Sequence, residues 1–266
     1  MRKIRLLALL NLLALGVHLM ITWLIQQKMI NDTDVSEISH EYPSLFTPVN
    51  TTFAIWGLIY VMLIVFCIYH VFVSWKHTTE HRANRDTSRI GALFIINNLL
   101  TAAWLYYWAH AYLLAALMLI ILQWMTLLVI HRRLGIYDRD AGLASKIFTQ
   151  PALSIYFGWI TVATIANAAS FLNTTGWDGG FSETTWTLAF MGLAVFAGLI
   201  LILIRRNVFV GLVVIWALAG IVVKPYPDIS LGAEIGIIVT GLACVLQMAR
   251  NISYFSRFKA LSHAGL

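Results

Sequence analysis

The sequence predicts an all-α fold, a polytopic membrane bundle of eight transmembrane helices. Hydrophobic residues make up 60% of the 266-residue chain and charged residues only 11%, whereas soluble domains carry about 25% charged residues. All but two of the 18 Lys and Arg residues lie at alternate ends of eight apolar stretches. Composition and charge placement therefore indicate a chain that crosses a bilayer repeatedly.

Each span is predicted from the length of an apolar run. A helix needs roughly 20 apolar residues to cross about 30 Å of hydrocarbon. The candidate spans are 5–27, 51–74, 90–108, 112–131, 150–172, 185–204, 208–223 and 231–250. The seventh is short. No linker or low-complexity tract divides the chain, so we expect a single membrane domain over 1–266.

The orientation follows from the basic residues, because cytoplasmic loops retain Lys and Arg. Basic residues precede the first span, follow the last, and fill the connections after the second, fourth and sixth spans. Only Lys28 and Lys224 fall on the other side, where most acidic residues collect. Both termini are therefore predicted to be cytoplasmic, and the long loop 28–50 to lie outside.

Several function classes are not supported. The formal net charge of +6 is spread over loop ends, whereas nucleic-acid-binding proteins gather such charge on one face, so no nucleic-acid partner is expected. His77, Glu80 and His81 match an inverted zinc-protease motif, but they fall in a short connection without a further acidic ligand. No P-loop, dinucleotide fingerprint or nucleophile elbow occurs. We expect no enzyme and no metal site.

Polar and aromatic residues inside three spans suggest a binding site. Polar side chains are costly in a bilayer core and normally face other helices or a cavity. The second, third and fifth spans each present such residues at helical spacing. The candidate ligand-binding residues are Phe53, Trp56, Tyr60, Asn97, Trp104, Tyr156, Trp159 and Asn167.

A simpler interpretation competes with a ligand pocket. Trp and Tyr also form belts at membrane interfaces, and Asn residues bond across helices. Trp108, Trp177 and Trp186 lie near the outer boundary and are predicted to be belt residues. Trp56, Trp104 and Trp159 lie deeper in their spans, where a belt explains them less well, and pockets for apolar ligands are mainly aromatic with a few placed polar groups.

Glu234 is the other notable polar residue, about one turn inside the eighth span. Lys224 follows the seventh span beside Pro225 and Pro227, which end that helix. We expect the two to form a partly dehydrated ion pair. A pair of this kind is either an interfacial contact or a site that couples protons or substrate to transport.

The segments 42–60 and 151–167 resemble two segments of the TspO/MBR family of tryptophan-rich sensory or translocator proteins. Residues 42–60 carry a Pro-rich loop followed by the aromatic-rich second helix, with Trp56 and Tyr60 at the motif positions. The segment 151–167, PALSIYFGWITVATIAN, is similar to the fifth helix, with Trp159 and Asn167 at its Trp and Asn. Asn97 or Asn98 occupies the position of the family's third-helix Asn. In the family a Trp usually follows this Asn by three residues, whereas here Trp104 follows Asn98 by six.

The resemblance covers about 5–172 and leaves 185–250 as a three-helix extension absent from five-helix proteins. It is closest to a longer bacterial branch, which implies the bacterial cytoplasmic membrane. The family's flat hydrophobic ligands imply a pocket for a porphyrin-like or sterol-like molecule, a tetrapyrrole included, in sensing or ligand handling. The alternatives are a small-molecule transporter and a non-catalytic partner subunit. Membrane lipid is an expected partner, and the oligomeric state, a homodimer included, is left open.

Overall fold

The computed structural model describes residues 1–136, 142–176 and 178–263, with side chains up to Asn251. These residues form α-helices, one 3-10 helix and connecting turns, without a β-strand. The helices are α1 Arg2–Gln26, α2 Val35–Glu41, the 3-10 helix Asn50–Ala54, α3 Ile55–Lys76, α4 Arg82–Ile90, α5 Leu93–Ala109, α6 Leu113–Leu134, α7 Leu143–Phe148, α8 Gln150–Thr175, α9 Glu183–Leu203, α10 Val208–Val222 and α11 Pro227–His263.

The polytopic helical bundle is confirmed, but the count of eight spans is not. Six helical stretches of the described chain are long and apolar enough to cross a membrane, and α4 with α5 would make a seventh if this pair, bent by 55°, is one span. At 1.5 Å per residue, α5 with 17 residues and α10 with 15 reach only about 25 Å and 22 Å. Both are shorter than the hydrocarbon core.

The bend between α4 and α5 lies at a glycine. Gly91 ends α4 with φ +58, a left-handed conformation that a side chain disfavours. The polar α4 can therefore leave the axis of the apolar α5. The predicted third span, which began at residue 90, is for this reason a short helix with a tilted polar segment before it.

The connections meet at two opposite ends of the bundle. At one end the loop after α1 contacts the α5–α6 turn through Asn31, whose amide donates to the Ala109 carbonyl (2.6 Å). At the other end Arg5 donates to the carbonyl of Ser74 in the last turn of α3 (3.2 Å). Consecutive helices that run in opposite directions give this alternation. The first end, which holds the loop 28–50, is called the outer end below.

Helix α8 occupies the centre of the bundle. Every residue from Gln150 to Val162 is buried. Helix α8 packs against α3, α6, α9 and α10. Its surface towards α9 and α10 is called the back, and its surface towards α3 and α5, where Asn167 bonds Trp104 and Trp159 meets Trp56, is called the front. Gly158 permits the close approach of α10, since a Cβ there would lie 3.1 Å from the Val213 Cβ. Asn207, before α10, donates to the Ser154 hydroxyl (2.9 Å).

Helices α9, α10 and α11 pack on one another and also hold the outer loop. Trp216 of α10 donates its indole N–H to the Thr52 carbonyl in the 3-10 helix (2.8 Å). The Gly220 carbonyl accepts from the Val49 amide (3.0 Å). The extension thus fixes the segment that leads into α3.

Candidate ligand-binding site

Two adjoining cavities lie at the outer end, between the loop and the helices α1, α3, α5 and α8. The wider has a volume of about 250 Å³ and the narrower about 30 Å³. They share Val35, Phe53, Trp56 and Trp104 as walls, and together they are called the aromatic pocket. The wider is also lined by Thr22, Gln26, Ser36, Asn50, Tyr60 and Leu105. The narrower is also lined by Ser39, Thr47, Pro48, Trp108, Trp159, Val162, Ala163, Ala166, Asn167 and Ser170.

Aromatic rings form most of the wall surface. Trp56 stacks on Tyr60 one turn later, with ring centroids 5.4 Å apart and planes at 25°. Trp159 of α8 meets Trp56 edge-on at 6.2 Å and Phe53 at 5.8 Å. Such pairs are stabilising, and their faces can stack on a further flat ring.

The pocket has few polar atoms, and some of them have a hydrogen-bond partner while others have none. The Trp104 indole N–H donates to the Asn167 side-chain oxygen (2.9 Å), which ties α5 to α8. Trp159 is 2% exposed, and its indole N–H has no hydrogen-bond partner. Buried donors are normally paired. This unpaired N–H, on a residue that lines the cavity, is therefore available to a ligand.

Six of the eight predicted site residues line the aromatic pocket: Phe53, Trp56, Tyr60, Trp104, Trp159 and Asn167. The other two do not. The Asn97 amide donates to the Thr126 hydroxyl (2.8 Å) and the Gln123 carbonyl of α6, because this side of α5 faces α6.

Tyr156 lies behind the pocket wall. It is completely buried, and its hydroxyl is 2.9 Å from the Thr101 hydroxyl. Its ring centroid is 6.3 Å from that of Trp56. Tyr156 and Asn97 therefore join helices around the pocket and do not form its surface.

The belt assignment of Trp108 is wrong. This residue is 3% exposed, stacks on Trp104 with centroids 5.9 Å apart, and donates to the Val35 carbonyl (3.1 Å). The loop after α1 covers it, and no local sequence pattern predicts a contact between segments so far apart in the chain. Trp186 donates to the Asp178 carbonyl (2.7 Å), and its belt role stays a prediction. Trp177 lies outside the described residues.

Sequence comparison identifies the family. The family model for TSPO-like protein matches residues 8–247. The chain belongs to the TSPO-like protein family. Comparisons with curated proteins and with solved structures gave no significant match. The family match includes α9, α10 and most of α11, so the extension lies within the family and the likeness is not limited to 5–172.

A third cavity of this TSPO-like protein adjoins the aromatic pocket and is called the outer cavity. Its volume is about 410 Å³. It shares Ser39, Thr47 and Pro48 with the narrower cavity and Asn50 with the wider one. Its other lining residues are His40, Pro43, Ser44, Val49, Thr51 and Lys224. The loop side chains therefore separate an apolar interior from a polar outer space.

The predicted ion pair between Lys224 and Glu234 is not formed. The Lys224 ammonium donates to the carbonyls of Ser44 (3.1 Å) and Leu45 (3.0 Å) in the loop, whereas Glu234 is exposed on α11. The turn after α10 directs Lys224 inward over the loop, away from α11. Burial lowers the pKa of the Lys224 ammonium below its usual value, and the carboxylate of Glu183 opposes that shift.

The extension contacts the loop at a second place. The Glu183 side chain, at the start of α9, accepts from the Leu45 amide (3.3 Å) and from the Asn173 side chain (3.3 Å). Asn173 also donates to the Pro43 carbonyl (3.0 Å). In this TSPO-like protein the cover of the pocket is therefore held by α9 and α10 and by the end of α8.

Proposed function

We propose that this TSPO-like membrane protein binds a flat hydrophobic or amphipathic ligand, porphyrin-like or sterol-like, in the aromatic pocket, for sensing or ligand handling. The observation that carries the proposal is the unpaired indole N–H of Trp159 in a wall of aromatic rings. The aromatic rings of the wall can stack on a planar molecule. The buried Trp159 N–H would be satisfied by a hydrogen-bond acceptor on that molecule. A planar ligand with an oxygen or nitrogen acceptor meets both demands.

The size of the site supports a ligand that reaches beyond the inner space. Ligand pockets usually measure about 300–1,000 Å³, and the wider inner cavity has about 250 Å³. The outer cavity adds about 410 Å³ next to it. A ring system of tetrapyrrole size would fill the aromatic pocket and extend past Asn50 and Thr47.

Replacing the pocket tryptophans tests the proposal. We expect Trp56→Ala and Trp159→Ala each to weaken binding of protoporphyrin IX by about 1–3 kcal/mol, because a large aromatic contact is lost. Trp159→Phe should also weaken it, since it removes the N–H and keeps a ring. Binding is measured by absorbance titration of the purified protein in detergent.

The matched control is Trp23→Ala, because Trp23 is 53% exposed on α1 and does not line the pocket. Its affinity should equal that of the parent. Equal affinities for the parent, the control and all three pocket variants would refute the proposed site.

The alternative functions fare differently. Transport coupling rested on the pair of Lys224 with Glu234, which is not formed, so no observation now favours it. A role as a partner subunit predicts that the protein co-purifies with another membrane protein in stoichiometric amount. Affinity purification followed by mass spectrometry measures both a partner and any ligand retained from the membrane.

The membrane location and orientation form part of the proposal. The protein is an integral membrane protein, and we place it in the bacterial cytoplasmic membrane with both termini in the cytoplasm. Asp32→Cys, at the outer end, should react with an impermeant thiol reagent in intact cells, and Glu80→Cys only after permeabilisation. Both positions are exposed, and the native Cys67 and Cys244 are buried. The reverse pattern would overturn the orientation.

A further inference from the structure

Lys224 has an unusual position for a charged residue. It comes from the turn after α10, yet it lines the outer cavity next to the aromatic pocket. Its ammonium donates to two loop carbonyls, and an ammonium has three donors. No carboxylate of the described chain lies within ion-pair distance of it.

The surroundings of Lys224 favour an anion. Among the residues that line the outer cavity, Lys224 is the only Lys, Arg, Asp or Glu, and His40 is the only other titratable side chain. The Glu183 carboxylate is engaged by the Leu45 amide and Asn173. Burial destabilises the ammonium and lowers its pKa. Lys224 is part-buried, and the Glu183 carboxylate offsets only part of this effect without contacting it, so a ligand anion would supply a direct charged partner.

An unpaired polar atom lies between Lys224 and the interior. The Thr47 hydroxyl oxygen is buried without a hydrogen-bond partner, and Thr47 lines both the outer cavity and the narrower inner cavity. Trp159, with its free N–H, lines the same narrower cavity. Two unpaired polar groups, the Trp159 N–H and the Thr47 hydroxyl, thus line the path between the interior and the ammonium of Lys224, which keeps one N–H beyond its two carbonyl bonds.

We propose that Lys224 binds a carboxylate of an amphipathic ligand whose flat apolar body occupies the aromatic pocket. This inference rests on the proposed function and narrows it to ligands that carry an acidic group at one edge. The Thr47 hydroxyl donates to the same polar edge. The three-helix extension, which supplies Lys224, then determines ligand selectivity as well as holding the loop.

A pair of probes that share one ring system tests the inference. Protoporphyrin IX carries two carboxylates, and its dimethyl ester has the same ring without the charges. The parent should bind the free acid more tightly than the ester, and added NaCl should reduce this preference because salt screens partly exposed charges. Lys224→Met should weaken binding of the free acid by about ten-fold or more, the scale of a charge-assisted hydrogen bond, and change ester binding less than about three-fold.

Two further variants separate charge from loop support. Lys224→Arg keeps the cation and should keep the preference for the free acid. Lys28→Met removes another outer lysine, which pairs with Glu37 (2.5 Å) and does not line the cavities, so it should change neither affinity.

The outcomes are distinct. If Lys224→Met weakens both probes equally, Lys224 acts only through the loop carbonyls and the inference is overturned. A parent without any preference for the free acid overturns it as well, even if the Met variant does not fold. A parent that binds neither probe overturns both this inference and the porphyrin-like part of the proposed function.

Discussion

The two sides of α8 are built in opposite ways. Towards α9 and α10 its surface is made of small residues in close contact, with Gly158 against Val213 and Ser154 bonded to Asn207. Towards α3 and α5 it carries large rings, and cavities remain between them, with Trp159 facing Trp56 and Phe53. One helix therefore combines a surface where small residues allow close contact with a surface of rings that borders the aromatic pocket.

The difference shows how a small bundle can keep an internal cavity. An empty cavity is destabilising because its lining loses packing contacts. Close packing and interhelical hydrogen bonds on the back of α8 fix the helix, so its front need not be filled. Changes at the back should then alter stability first, and changes at the front should alter binding first.

The largest effect is expected where the extension meets the outer loop. A Cβ at Gly220 would overlap the Thr52 hydroxyl and lie 2.9 Å from the Pro48 Cβ. Gly220→Ala should lower stability by about 1–3 kcal/mol through overpacking and should also weaken porphyrin binding, because Thr52 precedes Phe53. Thermal unfolding in detergent and the titration described above measure the two effects.

Gly192→Ala is the control for that variant, because a Cβ there would meet no atom within 4 Å. Alanine favours helix over glycine by up to about 1 kcal/mol, so this variant should be as stable as the parent or slightly more so. If Gly220→Ala behaved like Gly192→Ala, the close contact between α10 and the loop would be wrong.

Gly158→Ala tests the back of α8 alone. The added Cβ would lie 3.1 Å from the Val213 Cβ and 3.3 Å from the Val210 Cα. We expect a loss of about 1 kcal/mol of stability and unchanged affinity for the porphyrin. Val213→Ala in the same chain should recover part of the loss, since the two positions are in contact. A loss of binding without a loss of stability would reverse the roles assigned to the two sides.

Two asparagines test the front. Asn167→Ala removes the acceptor of the Trp104 N–H and should weaken binding by about 1 kcal/mol, the usual worth of one hydrogen bond. Asn97→Ala removes a bond to α6 and should lower stability by a similar amount without changing affinity. If Asn97→Ala weakens binding more than Asn167→Ala, the ligand binds on the side of α5 that faces α6, and the assignment of the pocket is wrong.

The smallest effect is expected at Glu234. Glu234→Gln should change stability by less than about 0.5 kcal/mol, as is usual for exposed positions. The double variant with Lys224→Met should be additive, because the two residues are not in contact. A coupling energy above about 0.5 kcal/mol in detergent unfolding would reinstate the ion pair predicted from the sequence.

These contrasts also mark what the sequence could predict. Helical spacing placed Trp56 and Tyr60 on one face of α3 because side chains four residues apart lie on the same side. It placed Trp159 on α8 in the same way. Local periodicity was sufficient for these residues, and the three line one pocket.

The remaining parts of the site depend on contacts between distant segments. Asn97 and Asn98 are neighbours in sequence, but successive helical positions point about 100° apart, and only the packing shows that Asn97 faces α6 while Asn98 bonds His18 (3.0 Å). The covering of Trp108 by Val35 and the turn of Lys224 toward the loop are also long-range. No periodic pattern encodes them.

The crowding of indoles at the outer end has an optical consequence. Four of the chain's 10 Trp residues, Trp56, Trp104, Trp108 and Trp159, line the aromatic pocket, and their rings approach to 6.2 Å and 5.9 Å in two pairs. Excitation energy passes readily between indoles at such separations. A bound molecule that absorbs near-ultraviolet light would therefore quench all four emitters together, and the native fluorescence of the protein is an intrinsic reporter of whether the pocket is occupied.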